Sequence, residues 1–103
     1  MNSVQAKLTK EIILDRLREH KAELFKKFPI ASLALFGSYA RGDETTESDV
    51  DILVEYNGPI GWEVVDIVEE LEGLLQVKKV DLVSKRAVKP HYIPYIEKDL
   101  IYV

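Results

Sequence analysis

Residues 49–55 read Asp-Val-Asp-Ile-Leu-Val-Glu, a strand pattern that opens on two carboxylates. Val50, Ile52 and Val54 alternate with Asp49, Asp51, Leu53 and Glu55, the period of two expected of a strand. Side chains two apart in a strand share a face, so Asp49 and Asp51 project together, about 6.5–7 Å from one another along the chain. Aspartate is disfavoured in strands, and like charges on one face repel. A solvated outer face would explain the pair. So would a cation, and the buried look of Ile52-Leu53-Val54 points that way. Magnesium suits such a site: a hard ion with oxygen ligands, often shared with phosphate.

The surrounding pattern alternates helices and short apolar runs. Thr9 precedes a helical stretch over roughly 10–28, with Leu14, Leu17, Leu24, Phe25 and Phe28 along one face. Pro29 ends it, because the residue before a proline avoids the α region. Ile30 to Phe36 reads as a buried strand that stops at Gly37-Ser38, and residues 39–48 as a short helical turn and a loop. After Asn57-Gly58-Pro59 a second amphipathic helix is expected over about 60–76, with Ile60, Val64, Ile67, Val68, Leu71 and Leu75 on one face. Val77 to Val83 reads as a third strand and 84–89 as a polar connection. A short helix from Pro90 through Lys98 and a last apolar segment, 100–103, complete the chain. This order predicts an α/β (α+β) fold: one domain over 1–103, with a mixed sheet of about four strands and helices packed on it.

The 103 residues suit a single core. With 47% hydrophobic and 31% charged residues the composition is that of an ordinary soluble protein, neither disordered nor membrane-embedded. No apolar run approaches the roughly 18–20 residues that span a bilayer, and Met1 to Lys7 lacks the apolar centre of a secretion signal. The absence of cysteine excludes disulfides, thiolate zinc sites and a thiol nucleophile. A cytoplasmic address is expected. A net charge of −4 argues against an extended nucleic-acid footprint, yet leaves a nucleotide possible as ligand, since metal ions neutralise a triphosphate locally.

Two further features bear on chemistry. A glycine where a buried strand ends lets backbone N–H groups approach a ligand, and Ser38 can cap the next turn while its hydroxyl faces a phosphate. By themselves these residues are equally a plain turn. Asp81 lies inside the third apolar strand. Alone it could be an ion-paired or edge residue; brought beside Asp49 and Asp51 it would complete a set able to hold two metals about 3.5–4 Å apart.

Gly37-Ser38, a ten-residue interval and Asp49-Val50-Asp51 together resemble the signature of the nucleotidyltransferase superfamily related to DNA polymerase beta. The short length, Gly37-Ser38-Tyr39-Ala40-Arg41-Gly42 and Asp81 are similar to its minimal nucleotidyltransferase (MNT) group. The resemblance implies that Asp49, Asp51 and Asp81 are catalytic and bind two Mg²⁺ ions, with Mn²⁺ as a substitute. It implies that Asp81 holds the catalytic metal and orients the attacking hydroxyl, and that Gly37 and Ser38 grip the phosphates of ATP. Arg41 either adds charge near the leaving pyrophosphate or braces the loop. Larger members carry a helical acceptor-binding domain that this sequence lacks, which implies that a partner protein supplies the missing wall or is itself the acceptor. Stand-alone MNT proteins are similar to the antitoxins of HEPN–MNT toxin–antitoxin pairs, so the resemblance implies AMP transfer from ATP to a HEPN ribonuclease, on a tyrosine, silencing it. The alternatives are an antitoxin that works by binding alone and an enzyme that nucleotidylates a small molecule such as an antibiotic.

The remaining conspicuous residues carry blander readings. His20 and His91 lack a second histidine at metal-ligand spacing and read as surface or packing residues. Trp62 reads as core or interface filler. Tyr92, Tyr95 and Tyr102 pack on the sheet or meet a partner. Lys78-Lys79 and Lys85-Arg86 read as solvated strand ends, with a place near a phosphate-bearing ligand left open.

Overall fold

The computed structural model describes residues 7–103; most of the N-terminal segment read above for a secretion signal lies outside them. Helix α1 runs Lys10–Lys27, and its N-cap Thr9 accepts a hydrogen bond from the Ile12 N–H at 3.3 Å, satisfying a donor that the helix itself leaves free. Strand β1 follows at Ile30–Phe36, the four-residue helix α2 at Ser38–Arg41 and β2 at Val50–Tyr56. Helix α3 is Glu63–Leu75, β3 is Val80–Ser84, and 3-10 turns at Lys85–Ala87 and Pro90–Tyr92 lead into α4 (Ile93–Glu97) and β4 (Ile101–Tyr102).

The sheet order is β3-β2-β1-β4. β1 pairs antiparallel with both β2 and β4, while β2 and β3 are parallel, joined through α3 because a parallel pair needs a crossover connection. This is the single mixed-sheet domain that the sequence pattern predicts.

The two faces of the sheet differ. Ile13, Leu17, Ile67, Leu71 and Leu75 from α1 and α3 are fully buried in one cluster with Leu33, Leu35, Ile52 and Val54. Arg16 locks the two helices by donating to the Leu75 carbonyl at 2.9 Å, an acceptor in the last turn of α3 that has no partner within the helix. The opposite face is covered thinly, by the C-terminal segment: Leu53 shares a small cavity of about 20 Å³ with Val88, Ile93, Ile96 and Leu100.

Three expectations are corrected in detail. Ile13, absent from the predicted face of α1, is fully buried. The second helix starts at Glu63 rather than near 60, since Gly58-Pro59 and Gly61 delay it. Trp62 is not core: it is 89% exposed at the N-cap of α3.

Candidate active site

Parallel pairing of β2 with β3 sets Asp51 directly opposite Asp81, on strands about 4.8 Å apart. The antiparallel partner of Asp51 on the other side is Phe36, so Gly37 follows at the same end of the sheet. Side chains alternate along a strand, which puts Asp51 on the face of Leu53, away from α1 and α3. Asp49 stands one residue ahead of β2 rather than inside it. The three sequence-predicted aspartates therefore gather where β2 and β3 begin and β1 ends.

Gly37 shows how tightly that end is built. Its φ of +79° and ψ of −155° belong to a region that only glycine occupies at little cost. A Cβ at this position would collide with the Asp51 carboxylate, its Cγ lying 3.0 Å away. The glycine thus serves two purposes, turning the chain out of β1 and making room for Asp51. Gly37 also occupies the N-cap position of α2, with Ser38 as the first helical residue, so the expectation that the serine caps this turn is corrected. At the other end of α2, Gly42 (φ +83°) closes the turn, its N–H donating to the Ser38 carbonyl at 2.9 Å.

The electrostatics single out Asp51. Its carboxyl is pushed up to about 6, first by burial and then by the charges of Asp81 and Asp49, against weaker pulls from Arg41 and Lys79. It has no hydrogen-bond or ion-pair partner among the described residues. Asp49 is half-buried and Asp81 exposed, and no charged residue in the described chain is fully buried, so the site is an open shelf rather than the buried trio suggested by the flanking apolar residues. β3 forms the sheet edge, which leaves Asp81 accessible.

Lys79 faces Asp49 at 3.6 Å. Among the described residues no group of three or more His, Cys, Asp or Glu side chains is arranged to hold a metal ion. The backbone assembles the three aspartates at one end of the sheet, and the side chains do not close into a ligand cage. The donor set still fits a hard divalent cation: three carboxylates repel one another at an open strand end, and the central one has no partner of its own.

Arg41 bridges Asp43 (Nε to Oδ2, 3.1 Å) and Asp99 (3.0 Å), tying α2 to the C-terminal segment. This is the bracing alternative of the two considered for it. Two contributors escaped the sequence reading, Asp99 as that anchor and Glu72 of α3. The Glu72 carboxylate accepts the Val80 N–H at 3.0 Å and so pins the first residue of β3 beside Asp81. Lys79, read as a solvated strand end with a place near a phosphate-bearing ligand left open, instead faces Asp49. His20 Nδ1 lies 2.9 Å from the Arg16 carbonyl and the His91 ring lies tilted against Tyr92, contacts consistent with packing roles.

The family pattern described as nucleotidyltransferase domain matches residues 17–103. Protein adenylyltransferase MntA of Thermococcus cleftensis is 38% identical over 99 residues, covering 95% of this chain and 99% of that protein. A solved structure provisionally named a minimal nucleotidyltransferase superposes with a TM-score of 0.77 at 31% identity, over 94% of this chain and 98% of that one. The tri-AMPylated Shewanella oneidensis HEPN toxin in complex with MNT antitoxin includes a chain that matches with a TM-score of 0.63 at 17% identity, covering 91% of this chain and 71% of that one; at that identity the likeness concerns the fold. A glycine turn built around Asp51, Asp81 in register beside it and Asp49 just upstream stand together at one end of the sheet, and by these matches the chain belongs to the nucleotidyltransferase domain family, among its small members named protein adenylyltransferases.

Proposed function

We propose that this chain is the antitoxin of a HEPN–MNT pair, a metal-dependent enzyme that moves AMP from ATP onto a tyrosine of its HEPN partner and so silences it. The observation that carries the reading is the register of Asp51 against Asp81 beside Gly37, which gathers carboxylates around a glycine turn at one end of the sheet. Support for a HEPN partner comes from the fold shared with the Shewanella MNT complex and from the adenylyltransferase name of the Thermococcus relative.

In this reading Asp49, Asp51 and Asp81 would hold Mg²⁺, with Mn²⁺ able to replace it, and Lys79 supplies positive charge beside Asp49. Bound there, divalent metal supplies positive charge to the phosphate oxygens and to the departing pyrophosphate. The tyrosine hydroxyl oxygen forms a bond to the α-phosphorus as the α–β bridging P–O bond breaks; the hydroxyl proton leaves to solvent and pyrophosphate departs with the electron pair. Asp81, on the open edge strand, orients that hydroxyl. The backbone N–H groups at the start of α2 have no carbonyl to reach within so short a helix, and they, with the Ser38 hydroxyl, grip the terminal phosphates. Arg41, through its two carboxylate bridges, keeps this loop against the C-terminal segment. No helix among the described residues is long and apolar enough to cross a membrane, and a cytoplasmic place beside a ribonuclease partner is part of the proposal.

The test is intact mass. The chain and its co-encoded HEPN protein are incubated with Mg²⁺ and ATP, for wild type and for Asp49→Asn/Asp51→Asn. Whole AMP units on the partner, absent with the double variant, are expected. A stable, silenced complex without mass gain would replace catalysis by occlusion.

A further inference from the structure

A groove of about 700 Å³ lies at the end of β2 and β3 opposite the aspartates. Ile60, Val64, Leu82 and Ile93 give it an apolar floor, and Lys85 and Arg86 line it with positive charge. Glu55 also lines it, 3.9 Å from Lys85. Two large aromatic residues adjoin this lining in the chain, Trp62 between Ile60 and Val64, and Tyr92 directly before Ile93; they are 89% and 53% exposed. Exposed aromatic side chains around an apolar floor are what protein interfaces use as anchors.

Charge identifies the occupant. Residues 84–89, at the groove end of β3, carry Lys85, Arg86 and Lys89 and no acidic residue, a net +3, in a chain whose total is −4. The rest of the sequence therefore sums to −7. Among the described residues no carboxylate lies within ion-pair distance of Arg86 or Lys89. A local cationic strip beside an apolar groove, on an otherwise acidic molecule, complements an acidic segment that carries an apolar stripe. A nucleic acid would meet only this strip and be repelled by the remaining surface.

We propose that this groove is the docking site for an acidic, amphipathic segment of the acceptor protein, and that it fixes which protein is modified. The inference rests on the proposed protein-acceptor reading. From Asp81 to Ser84 the strand advances only about 10 Å, so a segment held in the groove presents its neighbouring residues to the aspartates. Docking raises the effective concentration of the acceptor hydroxyl and takes no part in the chemistry.

The experiment uses the Asp49→Asn/Asp51→Asn chain, so that binding is read without transfer, and titrates it with the purified co-encoded HEPN protein. Adding Lys85→Glu/Arg86→Glu is expected to weaken binding at least tenfold. Trp62→Ala, a surface change that leaves folding intact, is expected to weaken it severalfold, and Arg86→Lys to restore most of the affinity. In the catalytically intact chain the charge reversal raises KM for the protein acceptor while kcat and the Mg²⁺–ATP-induced rise in Tm stay as in wild type. Unchanged affinity in both groove variants would overturn the groove, even if AMP transfer proceeds. Groove-dependent binding without any transfer would uphold it while removing the catalytic reading. Competition for the groove by a short oligouridylate, with HEPN binding unaffected by the variants, would overturn it in favour of RNA.

Discussion

The two faces of the sheet are built to opposite ends. On the helix side, β1 and β2 contribute Leu33, Leu35, Ile52 and Val54 to a cluster that α1 and α3 exclude from water completely. On the other side, the same two strands meet Gly37, Asp51 and, across β3, Asp81, under a C-terminal cover that leaves a small cavity at Leu53. One face lowers the free energy of the fold by apolar burial, and the other spends part of it holding like charges together. A strand can do both because neighbouring residues point to opposite sides.

Breaking the helix face gives the largest loss of stability. Leu71→Ala empties a fully buried position and is expected to cost about 2–5 kcal/mol in chemical denaturation, with AMP transfer by the protein that remains folded little changed. On the other face the order of effects reverses. Gly37→Ala forces a left-handed residue and a clash with Asp51; about 1–3 kcal/mol of stability is lost, and transfer, read by intact mass, drops far more than the melt suggests.

Asp51→Asn sharpens the contrast because it should stabilise the metal-free protein. In the folded chain this carboxyl titrates at about 6, above its ordinary value of 3.8, so folding favours its protonated form. Its contribution is fully present below the unfolded value and is lost as pH rises through about 6. Wild-type Tm is therefore expected to fall relative to Asp51→Asn between pH 4 and 7, the two converging at pH 4. In the proposed reading Asp51 is a Mg²⁺ ligand and the same proton competes with the ion, so Mg²⁺–ATP is expected to raise the wild-type Tm at pH 7.5, much less at pH 5, and scarcely at all in Asp49→Asn. A Tm gap that ignores pH would place the charge strain elsewhere.

The smallest effect belongs to Arg41. Its bridges to Asp43 and Asp99 are exposed, and exposed pairs are screened. Arg41→Gln is expected to lower Tm slightly at low salt and not at about 0.5 M salt. Because Arg41 also pulls the Asp51 carboxyl downward, its loss is expected to move the pH midpoint of Mg²⁺ binding upward.

Much of this was legible in the chain. Local periodicity and punctuation found α1, β1, β2, α3 and β3, since Thr9, Pro29 and Gly37 act on their immediate neighbours. The spacing of Gly37-Ser38 from Asp49-Val50-Asp51 named the candidate site. Of the two readings of Trp62, core or interface, its 89% exposure removes the first, because an apolar residue in a helical pattern carries no mark of whether the chain itself stands opposite it.

By itself the sequence determined the elements, the single mixed-sheet domain and the candidate site residues Gly37, Asp49, Asp51 and Asp81, because backbone propensities, helix caps and side-chain alternation are set within a few residues. Only the tertiary structure decided that Asp81 stands in register with Asp51, that Gly37 yields space to that carboxylate, that Lys79 faces Asp49 and that Arg41 reaches Asp99. Those relations join residues 14 to 58 positions apart, and they follow from strand register and crossover packing, which depend on how the whole core closes.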